Sequence, residues 1–265
     1  MFKRAAARIA RPDLFSMEAW GEATVLRLRH QEVAGADPER VRQLWSFLSY
    51  ERTHPSKVLV IQIPPGLLGP ENAGRFLAEQ HPGAGGVSAR SDLFEEAHRE
   101  ENLLANLIDR IGALDSLVIL ALQGEVDLPF LGPALACDYR VVSDDTVFVN
   151  SAVSRGLPPF GALPWFMVRA LGYARAASIL WGEESLGADR AHRLGLVNEV
   201  SPLAELDERV RKAADRFVRK PRARLVAIKR LLDAACGSWD AYSGVEHREV
   251  NRCLDAIVRG RPAGP

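Results

Sequence analysis

The chain has 265 residues, 47% of them hydrophobic and 26% charged, an ordinary globular balance at a size that suits one large α/β domain or two small ones. Its 34 Lys and Arg residues offset 34 Asp and Glu residues. A net charge of zero argues against a generic binder of nucleic acid or anionic membrane, which needs a basic excess to gather phosphates. No apolar run approaches bilayer length. The three cysteines, Cys137, Cys236 and Cys253, are odd in number and lack CxxC spacing. Neither a disulfide scaffold nor a cysteine zinc site is therefore expected, and a reducing cytoplasm fits best.

In chain order, MFKRAAARIARPDLF is basic with no hydrophobic stretch behind it, and residues 1–17 read as a flexible tail rather than a secretory signal. Residues 23–29 alternate apolar and polar as a half-buried strand does. Residues 57–63 and 117–122 are β-branched or Leu-rich runs suited to strands buried on both faces. Helices are predicted over 38–50 and 93–111. In the second, Leu104, Leu107, Ile108 and Ile111 recur at three- and four-residue steps, and Gly112 stands where a left-handed turn would end the helix. The Pro- and Gly-rich stretch 64–90 has no period and reads as a long loop, a type that tends to be functional or mobile. This alternation predicts a mostly parallel sheet with right-handed crossovers. Further on, helices are predicted over 163–181 and 187–194, the latter stopped by Gly195. A short strand follows at Val197 to Val200, then helices at 203–219 and 222–235 separated by Pro221. The chain thus divides into a core over 18–200, a helical region over 201–259 and a disordered tail over 260–265.

Generic motifs are absent. There is no GxxxxGK[ST] phosphate loop, and PGAGG at 82–86 lacks the strand-to-helix setting of a nucleotide cradle. The six histidines show no ligand spacing, so no metal is predicted, and no GxSxG elbow is present.

Four segments are specific. LVILALQG (117–124), ALACDYRVVSDDTVFVN (134–150), GLPPFGALPWFMVRALG (156–172) and WGEESLGADRAHRLGLVNEV (181–200) together resemble the enoyl-CoA hydratase/isomerase family, the crotonase superfamily. ACDYR and GLVNEV match its pattern almost verbatim. The resemblance implies an α/β, crotonase-like spiral of ββα units with a C-terminal helical layer, assembled as a homo-oligomer, trimer or hexamer. It implies an acyl-CoA ligand whose thioester carbonyl is held by two backbone N–H groups, and two glutamates that handle water and the α-proton. It calls for no cofactor beyond a possible CoA thioester, and for no nucleic acid or membrane.

The departures fall on the chemistry. Counted from Asp138 and Phe148, the family's glutamate positions are Gly132 and Ala152. Leu128, Pro129 and Phe130 stand where the family's glycines belong, which puts one N–H donor at Pro129, a residue with no N–H. The other donor segment aligns with LLGPE (67–71), placing Gly69 and Pro70 there. A register shifted by one or two residues would leave a donor at Phe130 or Gly132. Phe160 occupies a place where other members carry a carboxylate. Glu125 and Asp127 are either a relocated general acid and base or plain loop carboxylates, and Ser151 and Ser154 either ligand donors or ordinary serines. Lys229, on RARLVAIKRLLD, matches a family lysine near the CoA phosphates and equally reads as one solvent-facing base among several. Two functions follow. One is a degenerate, non-catalytic subunit (a pseudoenzyme) that binds acyl-CoA or serves as a scaffold or regulator for a protein partner. The other is an acyl-CoA-processing lyase or isomerase working through Glu125 and Asp127.

Overall fold

The apolar runs lie side by side at the centre of a sheet. The computed structural model describes residues 14–29, 38–71, 102–154, 156–182, 185–236, 243–244, 247–248 and 251. Within them, strands β1 (Phe15–Trp20), β2 (Ala23–Leu28), β3 (Val58–Gln62), β4 (Leu117–Leu122), β5 (Glu125–Asp127), β6 (Tyr139–Ser143), β7 (Val147–Val149), β8 (Leu186–Gly187) and β9 (Glu199–Ser201) form two sheets. The larger has the order β1-β2-β3-β4-β6-β9, parallel throughout except for the antiparallel edge strand β1. The smaller has the order β5-β7-β8. The helices are α1 (Pro38–Thr53), α2 (102–112), α3 (Leu131–Ala136), α4 (Ser151–Ser154), α5 (Leu163–Leu171), α6 (Tyr173–Leu180), α7 (Ala188–Arg193), α8 (Leu206–Val218) and α9 (Arg222–Cys236).

Strand β3 is buried at every position because both faces of the large sheet are covered. Side chains alternate across the pleat. Val58 and Val60 therefore meet Val210, Ala213 and Ala214 of α8 on one face, while Leu59 and Ile61 join Phe15, Phe47, Leu104 and Phe148 in the main core on the other. The predicted face of α2 holds, with Leu104, Ile108 and Ile111 buried.

Several boundaries differ from those expected. Phe15 is fully buried and opens β1, so the core reaches into the span 1–17 expected as a tail. The helix expected over 163–181 is two helices, because Gly172 (φ 76, ψ 161) turns the chain between them. Gly112 is helical and takes no left-handed turn. Gly195 does (φ 77), and it closes α7 in a Schellman arrangement: its N–H donates to the His192 carbonyl and that of Leu196 to the Ala191 carbonyl. Helix α8 supplies the expected C-terminal helical layer and packs on one face of the large sheet. The start of the helix expected over 93–111, most of the loop over 64–90, and the tail at 260–265 lie outside the described residues.

Parallel strands give the large sheet two unlike ends. At the carboxyl ends of β3 and β4 the chain runs into residues 63–71 and 123–127. At the amino ends, a buried carboxylate binds three segments: Glu51 of α1 accepts from the Ser56 N–H (2.7 Å), the Ser56 hydroxyl (3.1 Å) and the Ser116 hydroxyl (2.7 Å). Glu51→Gln would turn one acceptor oxygen into a donor facing donors, and should cost about 1–3 kcal/mol. A lower urea midpoint at unchanged m-value would report it; an unmoved midpoint would contradict this role for Glu51.

Candidate functional site

The site expected from the resemblance lies at the carboxyl ends of β3 and β4. After β3, Pro64 to Gly69 form tight turns in which the Leu67 N–H donates to the Pro64 carbonyl (3.4 Å) and the Gly69 N–H to the Gly66 carbonyl (3.2 Å). After β4, Gly124 (φ 67) turns the chain into β5, then a 3-10 turn over Leu128–Phe130 leads directly into α3. The two segments touch: the Asp127 N–H donates to the Leu68 carbonyl at 2.7 Å. The stretches expected to carry the two oxyanion donors are thus neighbours. Four positions there offer no donor to a ligand. Pro70 and Pro129 have no N–H, the Gly69 N–H is used within its turn, and the Leu131 N–H closes on the Leu128 and Pro129 carbonyls.

Gly132 and Gly161 are in backbone contact. A Cβ on Gly132 would lie 1.6 Å from the Gly161 carbonyl oxygen, far inside any real contact. A Cβ on Gly161 would lie 2.7 Å from the Pro129 carbonyl oxygen and 2.8 Å from Leu104 Cδ1. Two consecutive left-handed residues, Gly161 (φ 69) and Ala162 (φ 58), aim this turn at α3. Ala162 is the one non-glycine with positive φ among the described residues. Hydrocarbon fills the surroundings: Phe130, Leu131, Ala152, Leu157 and Phe160 are all buried in the main core. The positions expected to bear glutamates are therefore a main-chain contact at Gly132 and a buried methyl at Ala152.

The structure separates the two speculative substitutes. Alternate residues of β5 face opposite ways, so Glu125 is exposed and Asp127 is fully buried. The Asp127 carboxylate accepts from the Ser151 hydroxyl (2.6 Å) and the Ser151 N–H (3.2 Å), tying β5 to the start of α4. Ser151 thus serves Asp127; the Ser154 side chain lies outside the described atoms.

Lys229 is elsewhere. Its Nζ donates to Asp138 Oδ2 (3.0 Å) and the Ser116 carbonyl (3.3 Å), at the amino ends of β4 and β6, opposite the donor turns. Asp138 also accepts from the Val118 N–H at 2.7 Å, so the pair fastens α9 to the sheet. The sequence did not indicate the roles of Ser116 or Glu51. Beside this pair, burial pushes the Cys137 thiol up to about 12, against the opposing pull of Arg140. Among the described residues no group of three or more His, Cys, Asp or Glu could hold a metal, and no helix is long and apolar enough to cross a membrane.

The enoyl-CoA hydratase/isomerase family model matches residues 87–249. The chain belongs to this family. Among curated relatives, 4-chlorobenzoyl coenzyme A dehalogenase-1 of Arthrobacter sp is 26% identical over 151 residues, 57% of this chain and 54% of the relative. The trans-2-decenoyl-[acyl-carrier-protein] isomerase of Streptococcus mutans serotype c is 28% identical over 148 residues, 54% of this chain and 56% of the relative. The crotonyl-CoA hydratase of Syntrophomonas wolfei is 31% identical over 123 residues, 46% of this chain and 47% of the relative. The chain thus spans about half the length of the curated relatives it matches. Among solved structures, an enoyl-CoA hydratase from Mycobacterium avium subsp. paratuberculosis K-10 superposes with a TM-score of 0.72 at 20% identity, covering 95% of this chain and 92% of that one. One from Bacillus halodurans gives 0.71 at 20% identity, over 93% and 98%. The fold is crotonase-like, as the resemblance implied.

Two predictions follow from this geometry. Gly132→Ala forces a methyl into the Gly161 carbonyl and should destabilise the fold by about 3 kcal/mol, read from urea unfolding; a loss under 1 kcal/mol would mean that the 160–162 turn moves aside. The second concerns alkali. The unfolded Cys137 thiol ionises near 9.0 while the folded one keeps its proton to about 12, so its stabilisation is complete below pH 9 and is lost as pH rises towards 12. Tyr139, raised chiefly by burial, acts in the same sense. The urea midpoint of Cys137→Ala should fall less steeply than wild type above pH 9, and equal slopes would contradict the assignment.

Proposed function

We propose that this family member is a non-catalytic subunit with a degenerate site, serving as a scaffold or regulator, with an acyl-CoA thioester as a possible ligand. The observation that carries this reading is the Gly132–Gly161 contact: where spacing expects a proton-transferring glutamate, the Gly161 carbonyl leaves no room even for a methyl. Ala152 cannot transfer a proton, and neither Pro70 nor Pro129 has an N–H to hydrogen-bond an oxyanion. General acid–base groups are worth roughly 10²–10⁴ each, and one oxyanion donor roughly 10²–10³. Losing all of them together removes the means of hydrating an enoyl thioester. Assembly into a homo-oligomer and a cytoplasmic setting belong to the same reading, since a chain of zero net charge repels its copies little.

A second reading has one observation in its favour. The buried Asp127–Ser151 pair lies beside the donor turns, where a relocated acid of a lyase or isomerase would stand. Asp127 is committed to holding α4, and Glu125 faces solvent, so this reading is weaker.

The test is hydration of crotonyl-CoA by the purified full chain. No rate above the buffer blank is expected; turnover near the ordinary enzyme range of about 1–10³ s⁻¹ would overturn the proposal. Titration calorimetry with CoA and acetyl-CoA addresses the ligand. Because Lys229 is already paired, Lys229→Ala should leave any CoA heat unchanged while lowering stability by about 1–2 kcal/mol. A CoA heat abolished in a folded Lys229→Ala would restore the phosphate-binding role.

A further inference from the structure

Helices α8 and α9 are of similar length but are held in different ways. Helix α8 buries Leu206, Val210, Ala213 and Ala214, at helical spacing, against the large sheet. In α9, Leu225 is the one buried side chain among those described, and it joins neither the main core nor the cluster under α8. Ile228, Leu232 and Leu231 remain 45%, 62% and 70% exposed. Packing of an apolar face is what normally keeps a helix formed and in place, and α9 has little of it.

Its attachment is polar instead. Lys229 Nζ reaches Asp138 Oδ2 at 3.0 Å and the Ser116 carbonyl at 3.3 Å, and Arg230 reaches the Asp115 carboxylate at 2.9 and 3.2 Å. The first pair is sheltered, its side chains 11% and 23% exposed, whereas the second stands in solvent at 69% and 44%. A sheltered, charge-assisted bond outweighs an exposed ion pair, which solvent and salt screen. Lys229 is therefore the principal fastener. Asp233, one turn further along α9, works against it. Burial first, and then Asp138, push its carboxyl up against the pull of Lys229, so α9 brings to the sheet a charge that the docked position disfavours.

The corner between the two helices is short. Its backbone bonds stay within each helix: the Lys220 N–H donates to the Phe217 carbonyl of α8, and the Leu225 N–H to the Pro221 carbonyl. The side chains of Arg219, Lys220, Arg222 and Arg224 are exposed there and make no hydrogen bond or ion pair among the described residues. Four unpaired like charges repel one another. A corner of this kind can absorb a change in φ and ψ, as hinge residues do.

We propose that α9 is a hinged arm, latched to the sheet by Lys229 and Asp138, that swings out about residues 219–221 while the rest of the fold stays intact. The arm is one wall of a cavity of about 810 Å³, which Leu225, Ile228, Lys229 and Leu232 line together with Leu117, Leu135 and Trp165. Releasing the latch removes that wall and lays the amino ends of β4 and β6 open to water. The position of α9 thus sets the size of the cavity. Elements with little apolar burial open well below the cost of global unfolding. This motion requires neither catalysis nor its loss.

Native-state hydrogen exchange of the full chain, read by mass spectrometry from zero to mild urea, tests the hinge. An undocked helix of this length is marginal in water, so its amides exchange once the arm is out. Amides of 226–233 should exchange at least tenfold faster than those of β4 and α8, with a shallower urea dependence, because a swung-out arm exposes little surface. K229M and D138N should each quicken α9 exchange about tenfold, and R230Q about twofold or less. Equal rates and equal urea slopes for α9 and β4 in the wild type would overturn the hinge, whether or not the variants fold. Unchanged α9 exchange in a folded K229M or D138N, or an R230Q effect larger than theirs, would overturn the latch.

Discussion

The contact between Gly132 and Gly161 constrains everything around it. The Gly161 carbonyl can approach this closely only because residue 132 carries no side chain. Around it, Gly161 and Ala162 take left-handed geometry, Phe160 is buried in the core, and α3 follows directly on a 3-10 turn. The 3-10 turn at Leu128–Phe130 fits this closure, since Pro129 suits a first helical turn and its missing N–H is not called on. Among the described residues this region is packed with hydrocarbon: Phe130, Leu131, Ala152, Leu157 and Phe160 are all buried.

The two ends of the parallel sheet have correspondingly different characters. In open α/β sheets the carboxyl ends of strands usually receive the ligand. Here the Asp127–Leu68 backbone bond, the Asp127–Ser151 pair and hydrocarbon hold the described segments at that end together. The amino end carries the polar fasteners, Glu51 on Ser56 and Ser116, and Lys229 on Asp138, and beside them the groove between α5 and α9.

How much of this was legible in the sequence depended on the kind of force involved. Strands buried on both faces write themselves as unbroken apolar runs, so β3 and β4 were plain at 57–63 and 117–122. The short strands β5, β7 and β8 have two or three residues each and too little pattern to read. The split between α5 and α6 was hidden because Gly172 lies inside an otherwise periodic stretch. At the site, the residue types at 129, 132 and 152 could be read by counting along the chain, but the main-chain packing against Gly132 could not. The approach of Gly161 joins residues 29 apart, and nothing local in GLPPFGAL encodes its target. The same holds for Lys229, whose partners Asp138 and Ser116 are 91 and 113 residues away. Helical spacing showed a basic residue on an amphipathic helix and was silent on which face was buried.

The unpaired corner between α8 and α9 has a consequence for how this protein meets other molecules. A sum of charges describes only the monopole, which here is zero; the separation of charge gives a dipole instead. A dipole's field dies away faster than a monopole's, and ions screen it within about 8 Å at physiological strength. Such a molecule draws nothing in from a distance and gains no acceleration of encounter. Whatever charge selectivity the corner exerts therefore acts at contact range.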